Sequence, residues 1–356
     1  MSINDIEKQY KYRIMIFVAA LAVAFFFSFL IGRYPISPLD LGGLLVNSLL
    51  EGINKIAGLF GADPGFHLNN YWDDNTEAIF LNIRLPRILL ACLVGCCISA
   101  AGAAYQGVFQ NPMAAPDILG ASSGAAFGAA LAILLGGTTW IITGSAFLFS
   151  LVTVLFVILV SRFAEGNKVL ALILGGIVIS SLFTSGTSYI KLVADPNDQL
   201  PQITYWLMGS LTEAKLSEVG LAFLPMLAGL VPLLALRWRI NVLTLGDDEA
   251  SSMGVDVKRI RTIVIICSTL ITAASVAVSG MISWVGLVIP HFARRIVGNN
   301  YRRLLPASMI MGALFLLLVD DISRNLMAKE IPLGILTSLV GAPFFIYLLT
   351  RKEKML

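Results

Sequence analysis

One short segment of this sequence matches a motif for nucleophilic catalysis by serine. Gly120 to Gly124 spell G-x-S-x-G, which in a soluble hydrolase surrounds a nucleophilic serine on a strained strand-to-helix turn. Here Ser122 opens an apolar helical segment, and the two histidines of the chain lie elsewhere in the sequence. The pattern is better interpreted as a small-residue stripe, Gly120, Gly124 and Gly128, at which helices pack closely.

Motifs for nucleotide and metal chemistry are absent. The sequence contains no H-E-x-x-H zinc pattern and no G-x-x-x-x-G-K-[ST] phosphate-binding loop. Any ATP that drives this chain must therefore be hydrolysed by another subunit, and we expect the chain itself to bind no metal or cofactor. The cysteines fall within apolar segments, where thiols more often pack than bind metal: Cys92, Cys96, Cys97 and Cys267.

Charged residues inside the apolar segments are few. Asp320, Asp321 and Arg324 are the exception, and Asp320 and Arg324 are spaced i, i+4, as in a paired helix end. Ion-coupled transporters usually carry coupling-ion ligands at the middle of the membrane. The scarcity of such residues favours a large or neutral solute moved by an external energy source. An ion-coupled secondary transporter is the alternative from another class.

The elements that must hold these residues are membrane helices. Of the 356 residues, 57% are hydrophobic and 13% are charged, and the mean hydropathy is +0.83. So few charged residues could not cover this much apolar surface in water, which excludes soluble enzymes and nucleic-acid binders. The net charge of +3 is too small to indicate a polyanionic partner.

Charge-free stretches long enough to cross a bilayer recur along the chain. A helix needs about 20 apolar residues to cross the hydrocarbon core. On this criterion we predict an all-α integral membrane protein with one transmembrane domain over residues 1–356 and about ten spans. The spans are placed at 14–32, 86–108, 117–135, 140–161, 168–193, 216–236, 260–279, 284–297, 304–326 and 333–350.

The basic residues are concentrated in alternate connections between these spans. Lys and Arg in short loops are retained on the cytoplasmic side, and 17 of the 25 fall on one side when both termini are placed there. We therefore expect both termini in the cytoplasm. A cleaved signal peptide is not expected, because the first apolar run is too long.

Residues 41–60 are long enough for an eleventh span. Their apolar side chains recur at helical spacing, but Asn47, Glu51, Asn54 and Lys55 interrupt the run. This pattern favours an amphipathic helix on the outer surface, within an outer loop at 33–83, and leaves an extra span as the alternative.

The longest predicted cytoplasmic connection, residues 237–261, has helix signals of its own. Asp247, Asp248 and Glu249 suit the start of a short helix, Gly254 suits its end, and Asp256 precedes the next span. Such a helix in the cytosol is either a contact for a partner protein or part of an ordinary solvated loop.

Five sequence blocks, in order over nearly the whole chain, resemble one transporter family. They are IRLPRILLACLVGCCISAAGAAYQGVFQNPMAAPDILGASSGA from Ile83, TYWLMGSL from Thr204, LTLGDDEASSMGVDVKRIR, SGMISWVGLVIPHFARRIVG and EIPLGILTSLVGAPFFIYLL. They resemble ABC importer permeases for iron chelates, haem and cobalamin, the BtuC/FecCD family. The chain departs from the family in its long outer loop and in one residue fewer between Asp320 and Pro332.

The resemblance implies a type II ABC importer permease fold of ten helices within a larger assembly. A second copy of the chain, as a homodimer, would complete a central pathway. Two cytoplasmic ATPase subunits would bind ATP and Mg, and a substrate-binding protein would dock on the outer face. The chain would then be a permease subunit and not an enzyme, located in the cytoplasmic membrane of a bacterium or archaeon.

The resemblance also assigns roles to residues of this sequence. The helix that couples the chain to the ATPase would comprise Leu245, Gly246, Asp248, Glu249, Ala250, Met253 and Gly254. The basic residues that meet acidic residues of the binding protein would be Arg84, Arg87 and Arg324. The inner gate region would include Asn167 and Lys168, and the outer end of the pathway would include Tyr205, Trp206 and Met208.

Arg84 and Arg87 are expected at the outer surface with their guanidinium groups in water, because a charged group is costly at the bilayer centre. Their alternative role is that of anchors at the membrane interface and nothing more.

The transported solute is expected to be an iron(III)-siderophore. Haem or cobalamin is the nearest alternative within the family, and an oxyanion such as molybdate is a weaker one. Selectivity would lie in the binding protein, so a weakly lined pathway suffices for the permease.

Overall fold

The computed structural model describes residues 3–59, 65–66, 71–166 and 168–350, and within these ranges the chain forms helices and connecting turns without a β-strand. The α-helices in these ranges are α1 (Ile3–Leu30), α2 (Pro38–Leu59), α3 (Asp74–Ile79), α4 (Leu85–Val108), α5 (Ala121–Leu134), α6 (Thr139–Phe163), α7 (Lys168–Val193), α8 (Gln199–Met208), α9 (Leu216–Leu243), α10 (Asp247–Ser252), α11 (Val257–Ser279), α12 (Val285–Val297), α13 (Tyr301–Asn325) and α14 (Leu333–Thr350). A π-helical turn, Phe80–Arg84, joins α3 to α4.

Each predicted span corresponds to one of these helices: α1, α4, α5, α6, α7, α9, α11, α12, α13 and α14. Among the described residues, seven helices are long and apolar enough to cross a membrane, and α5, α12 and α14 are shorter. The break predicted near Ser279 is present, because α11 ends there and α12 begins at Val285. Gly280, at φ 65°, adopts a conformation that favours glycine. The all-α membrane fold is confirmed.

The segment considered as an eleventh span is α2. Leu41 and Leu44 are buried in the main core, whereas Leu49 and Ile53 on the same helix are exposed. α2 is not among the described helices that are long and apolar enough to cross a membrane. This agrees with the amphipathic interpretation, although residue 60 of the predicted segment lies outside the described residues. The outer position of the helix stays a prediction.

α4 lies at the centre of the bundle. It packs against α9, α11, α12 and α13, and most of its residues are buried. A Cβ atom on Gly95 would overlap the carbonyl oxygen of Gly312 on α13, and one on Gly102 would overlap that of Gly286 on α12. The glycines therefore allow backbone contact between α4 and both later helices.

The G-x-S-x-G segment is a packing site between α5 and α6. A Cβ atom on Gly124 would lie 2.5 Å from the carbonyl oxygen of Phe149, and one on Gly128 would lie 2.5 Å from that of Ser145. The Ser145 hydroxyl donates a hydrogen bond of 2.7 Å to the carbonyl of Gly128. Gly124 and Gly128 of the predicted small-residue stripe therefore pack against α6, whereas Gly120 precedes α5 and lies against Ser180 of α7.

The bundle has two ends, which we name after the short helices that lie there. At the α10 end, α7, α11 and α13 begin and α6, α9 and α12 end; the Tyr301 amide donates to the Asn241 side chain at 3.0 Å there. At the α8 end, α4, α9 and α14 begin and α1, α11 and α13 end; the Ser210 amide donates to the Ser279 carbonyl at 2.8 Å there.

Candidate functional site

The α8 end holds a cluster of buried ion pairs. Asp320 on α13 is 0% exposed and lies between two guanidinium groups, with Oδ1 3.0 Å from Arg87 Nη2 and Oδ2 3.3 Å from Arg324 Nε. Arg324 also pairs with Asp321, which accepts a hydrogen bond of 2.6 Å from Ser28. The ion pair predicted from the spacing of Asp320 and Arg324 is confirmed. The cluster joins α1, α4 and α13.

Arg84 belongs to the same end but pairs differently. It ends the π-helical turn before α4, and its guanidinium donates to the backbone carbonyls of Phe29, in the last turn of α1, and of Tyr34, in the connection after it. A Cβ atom on Gly32 would lie 2.6 Å from Arg84 Nη2, so the absence of a side chain there makes room for the guanidinium. Arg84 has no carboxylate partner among the described residues.

The expectation that Arg84 and Arg87 keep their guanidinium groups in water is wrong, because each residue is 4% exposed and Arg324 is 8% exposed. The physical reason is that each guanidinium finds a carboxylate or carbonyl partner on another segment, and a paired charge is tolerated in the interior. The docking of a binding protein on these arginines stays a prediction. It now depends on which part of the cluster a partner can reach.

Glu330, between α13 and α14, is the part of the cluster nearest to solvent. Its side chain is 28% exposed, and its Oε2 lies 2.9 Å from Arg87 Nη1. The same oxygen accepts a hydrogen bond of 2.8 Å from the Thr212 hydroxyl. The Thr212 hydroxyl lies 2.6 Å from Ser210 Oγ and 3.3 Å from the hydroxyl of Tyr205. A hydrogen-bonded chain therefore runs from the buried ion pairs to α8.

The residues predicted for the outer end of the pathway, Tyr205, Trp206 and Met208, lie in the last turn of α8. Tyr205 and Met208 are each 38% exposed, whereas Trp206 packs against a separate hydrophobic cluster that includes residues of α5. Gly209 follows at φ 73°, and its carbonyl accepts a hydrogen bond of 2.9 Å from the Leu333 amide. The end of α8 is thus attached to the start of α14.

A groove with a cavity volume of about 800 Å³ runs along α7, and sequence reasoning missed it. Its hydroxyl-bearing side chains are Ser180, Ser181, Thr184, Ser185 and Ser188. Asp117, between α4 and α5, also lines it and accepts a hydrogen bond of 2.8 Å from the Ser122 amide. Among the described residues, no Lys, Arg or His lines this groove. The helical spacing of the α7 hydroxyls was a signal that could have identified it.

α10 is the short helix predicted within residues 237–261. Gly246 and Gly254 flank it at φ 126° and 78°, which are conformations that favour glycine. Asp248 and Glu249 are exposed in its first turn, whereas Ala250 is fully buried in the main core. The buried alanine holds one side of the helix against the bundle and leaves Asp248 and Glu249 facing solvent.

Two large apolar side chains next to α10 are exposed. Leu245 is 59% exposed and Met253 is 54% exposed. Asp247 pairs with Arg261 on α11 at 2.7 Å, which ties the short helix to the bundle. Exposed apolar side chains beside charged ones, outside the spans, are typical of a surface that contacts another protein.

A cavity of about 810 Å³ lies between α10 and the start of α7. Lys168, predicted for the inner gate, lines it together with Asp248 of the predicted coupling helix. The Lys168 ammonium donates to the Ala164 carbonyl at 2.6 Å and so closes the turn between α6 and α7. Asn167, the other predicted gate residue, lies outside the described residues.

Within the described ranges, no group of three or more His, Cys, Asp or Glu side chains could hold a metal ion. The four cysteines are free thiols, of which Cys97 and Cys267 are buried. The candidate site comprises the surfaces at the α8 and α10 ends and the hydroxyl-lined groove along α7.

The chain is similar over most of its length to known membrane transport proteins. The model of the FecCD transport family matches residues 20–351. The chain is 41% identical over 273 residues to the molybdate import system permease protein MolB of Haemophilus influenzae, which is 77% of this chain and 81% of that protein. It is 40% identical over 284 residues to a probable iron chelatin transport system permease protein of Helicobacter pylori, 80% of this chain and 86% of that one. A solved structure of a metal-chelate type ABC transporter in an inward-facing conformation matches with a TM-score of 0.82 at 35% identity, covering 95% of this chain and 99% of that one.

Proposed function

Because the chain belongs to the FecCD transport family, we propose that it forms the membrane pathway by which an iron(III)-siderophore or a related metal chelate enters the cell. The chain is a multi-pass permease subunit of an ABC importer, and ATP is hydrolysed by a separate subunit. The ion-coupled secondary transporter considered from the sequence is not supported.

The groove along α7 is the observation that favours a chelate as the solute. Its polar groups are hydroxyls and the carboxylate of Asp117, with no basic side chain among its described lining residues. Asp117 would repel a free oxyanion such as molybdate, and the groove offers no guanidinium to bind one. A chelate that encloses the charge of its metal can exchange hydrogen bonds with the hydroxyls. Haem and cobalamin share this property and are the second candidates.

Sequence identity does not choose between the solutes. The relatives named for molybdate and for iron chelatin are 41% and 40% identical to this chain. The identity of the solute therefore depends on the lining of the pathway and on the binding protein that delivers it.

The pathway is proposed to lie between two copies of the chain. α7 exposes its hydroxyl groups and also large apolar side chains, among them Val178, Leu182 and Tyr189 at 66%, 66% and 65% exposure. In a homodimer, two such helices would place their hydroxyls along a shared pathway and turn their apolar side chains towards lipid or the other copy. A substrate-binding protein would occupy the α8 end.

Two ATPase subunits, which bind ATP and Mg, are proposed to contact the α10 ends. Leu245 and Met253 would enter an apolar groove of the ATPase, and Asp248 and Glu249 would form its polar rim. When ATP closes the ATPases, α10 would move and the pair between Asp247 and Arg261 would carry the movement to α11. The cavity shared by α10 and Lys168 would change shape, which connects the movement to α7.

The coupling proposal is tested by the double variant Leu245→Asp, Met253→Asp. The charges should prevent burial in an ATPase groove, so the amount of ATPase that co-purifies should fall about tenfold, a loss of about 1.4 kcal/mol in binding. Asn299→Asp, an exposed change at the same end, is the matched control. Normal co-purification of the double variant would contradict the coupling proposal and favour the alternative that α10 is part of an ordinary solvated loop.

The solute is tested by uptake in cells that express the complete importer. Radioactive iron bound to a hydroxamate or catecholate siderophore should be imported, and excess molybdate should not compete. Asp117→Lys should reduce chelate uptake more than Asp198→Lys, an exposed change outside the groove. Import of labelled molybdate, with no import of any iron chelate, haem or cobalamin, would overturn the assignment.

The proposed orientation in the cytoplasmic membrane of a bacterium or archaeon places both termini and the α10 end in the cytoplasm. In a variant without native cysteines, a cysteine at Asn197 should react with a membrane-impermeant thiol reagent added outside. A cysteine at Ser251 should not react. Labelling at Ser251 alone would reverse the orientation.

A further inference from the structure

Each arginine of the cluster at the α8 end already has partners within the chain. Arg87 and Arg324 pair with three carboxylates, whereas Arg84 donates to the backbone carbonyls of Phe29 and Tyr34. The carboxylates are those of Asp320, Asp321 and Glu330. A partner with acidic side chains therefore meets arginines that already have partners. It can pair with Arg87 or Arg324 only if an internal carboxylate is displaced first.

Glu330 is the internal carboxylate that is most easily displaced. Asp320 is 0% exposed and holds Arg87 through Nε and Nη2. Asp321 is 10% exposed and is held by Arg324 and Ser28. Glu330 lies in a connection, is 28% exposed, and its contacts with Arg87 are to a single guanidinium nitrogen, Nη1, at 2.9 Å. This guanidinium nitrogen is thus the one that a carboxylate can approach from solvent.

We propose that Glu330 occupies the position of a partner carboxylate, and that an acidic side chain of the docking protein displaces it from Arg87. The inference rests on the proposed function only in that a substrate-binding protein docks at the α8 end. One carboxylate then replaces another on Arg87. The free energy gained on docking is the difference between the ion pair with the partner and the ion pair with Glu330. Docking on Arg87 is therefore weaker than it would be on an arginine without an internal carboxylate partner.

Displacement of Glu330 also changes its second contact. The Thr212 hydroxyl donates to Glu330 at 2.8 Å and lies 2.6 Å from Ser210 Oγ, and Tyr205 lies within 3.3 Å of Thr212. When Glu330 leaves Arg87, this hydrogen-bonded chain loses its fixed end. Docking is thereby communicated to the last turn of α8, which carries the residues predicted for the outer end of the pathway.

The test measures the affinity of the purified importer for its substrate-binding protein by surface plasmon resonance. Glu330→Gln keeps the shape and the contact with Thr212 but removes the competing charge, so the binding protein should bind about three- to tenfold more tightly. Glu330→Asp keeps the charge and should bind more nearly as the unchanged chain does. Glu213→Gln, a nearby exposed change, is the matched control and should leave the affinity unchanged.

A double-mutant cycle tests the link to α8. Thr212→Val should tighten docking about twofold in the unchanged chain, because Glu330 is held less firmly, and should have no effect beside Glu330→Gln. Unchanged or weaker docking of Glu330→Gln, or equal tightening by Glu330→Asp, would overturn the exchange. If the binding protein docks normally after Arg87→Ala as well, the docking surface itself is elsewhere, which is a failure of the proposed function and a different result.

Discussion

Arg87 and Arg324 at the α8 end are buried against Asp320 and Asp321, whereas Leu245 and Met253 at the α10 end are exposed to solvent. The first surface has its strong interactions already made inside the chain. The second exposes apolar side chains that no other part of the chain covers among the described residues. Two surfaces proposed to bind partners therefore differ in what binding must do.

At the α10 end a partner gains by covering apolar side chains, and nothing has to be displaced first. At the α8 end an acidic partner of Arg87 or Arg324 would have to exchange with existing ion pairs, so its gain would be small and its orientation strongly specified. The proposed contact with an ATPase suits the first arrangement, and the proposed exchange of carboxylates with a binding protein suits the second. Substitutions at the α8 end should accordingly reduce the stability of the protein, whereas substitutions at the α10 end should reduce coupling to ATP hydrolysis with little loss of stability.

The largest expected effect is that of Asp320→Asn at the α8 end. Asparagine has nearly the same shape but leaves two buried guanidinium groups without this charge between them, so the variant should lose about 3–5 kcal/mol of stability. The measurement is thermal unfolding in detergent. Asp198→Asn, an exposed acid at the same end, is the control and should stay within about 0.5 kcal/mol. A loss no greater than that of the control would remove the contrast between the two ends.

Two glycines with nearly equal φ angles allow a matched comparison of the ends. Gly209 at the α8 end has φ 73°, and Gly254 at the α10 end has φ 78°. A Cβ atom on Gly209 would lie 2.5 Å from the Met281 carbonyl oxygen, whereas one on Gly254 would meet nothing within 4 Å. Both alanine variants carry backbone strain of about 1–2 kcal/mol.

Gly209→Ala should therefore be less stable than Gly254→Ala by about 1–3 kcal/mol, because only the former is also overpacked. Thermal unfolding of the two variants under the same conditions measures this difference. Equal losses would show that the α8 end relaxes as easily as the α10 end.

The smallest expected effect is that of Asp247→Asn, which breaks the ion pair with Arg261 at the α10 end. Asp247 is 51% exposed, and exposed pairs contribute about 0.2–1 kcal/mol. We expect little change in unfolding temperature, and a smaller change still at high salt. Uptake per ATP hydrolysed should fall nevertheless, if the pair carries movement to α11. A loss of stability similar to that of Asp320→Asn would contradict the comparison.

The helices could be predicted because the bilayer imposes a length and an apolar composition on each of them. The break after Ser279 followed from a charge-free stretch too long for one helix, and α10 from its acidic start and glycine end. α8 was not predicted as a helix, because Pro201 and neighbouring glutamines interrupt its apolar pattern. Its position depends instead on contacts with the chain around Gly280 and Leu333.

The burial of the arginines could not be predicted from the sequence alone. The spacing of Asp320 and Arg324 reveals a pair within one helix, but Arg87 and Asp320 are 233 residues apart. A charge near the end of a predicted span is by default placed in water at the interface. Only the packing of α4 against α13, through Gly95 and Gly312, brings the two charges together.

The same distance along the chain has a consequence for biosynthesis. At about 5–20 residues per second, roughly 10–50 s pass between the synthesis of Arg87 and that of Asp320. During this delay the nascent α4 carries an arginine whose buried carboxylate partner does not yet exist. α4 must therefore wait at the insertion machinery, or with Arg87 near the headgroups, until α13 is made. Chains truncated before α13 should therefore be less stable in the membrane than the full chain, because this charge stays without its buried partner.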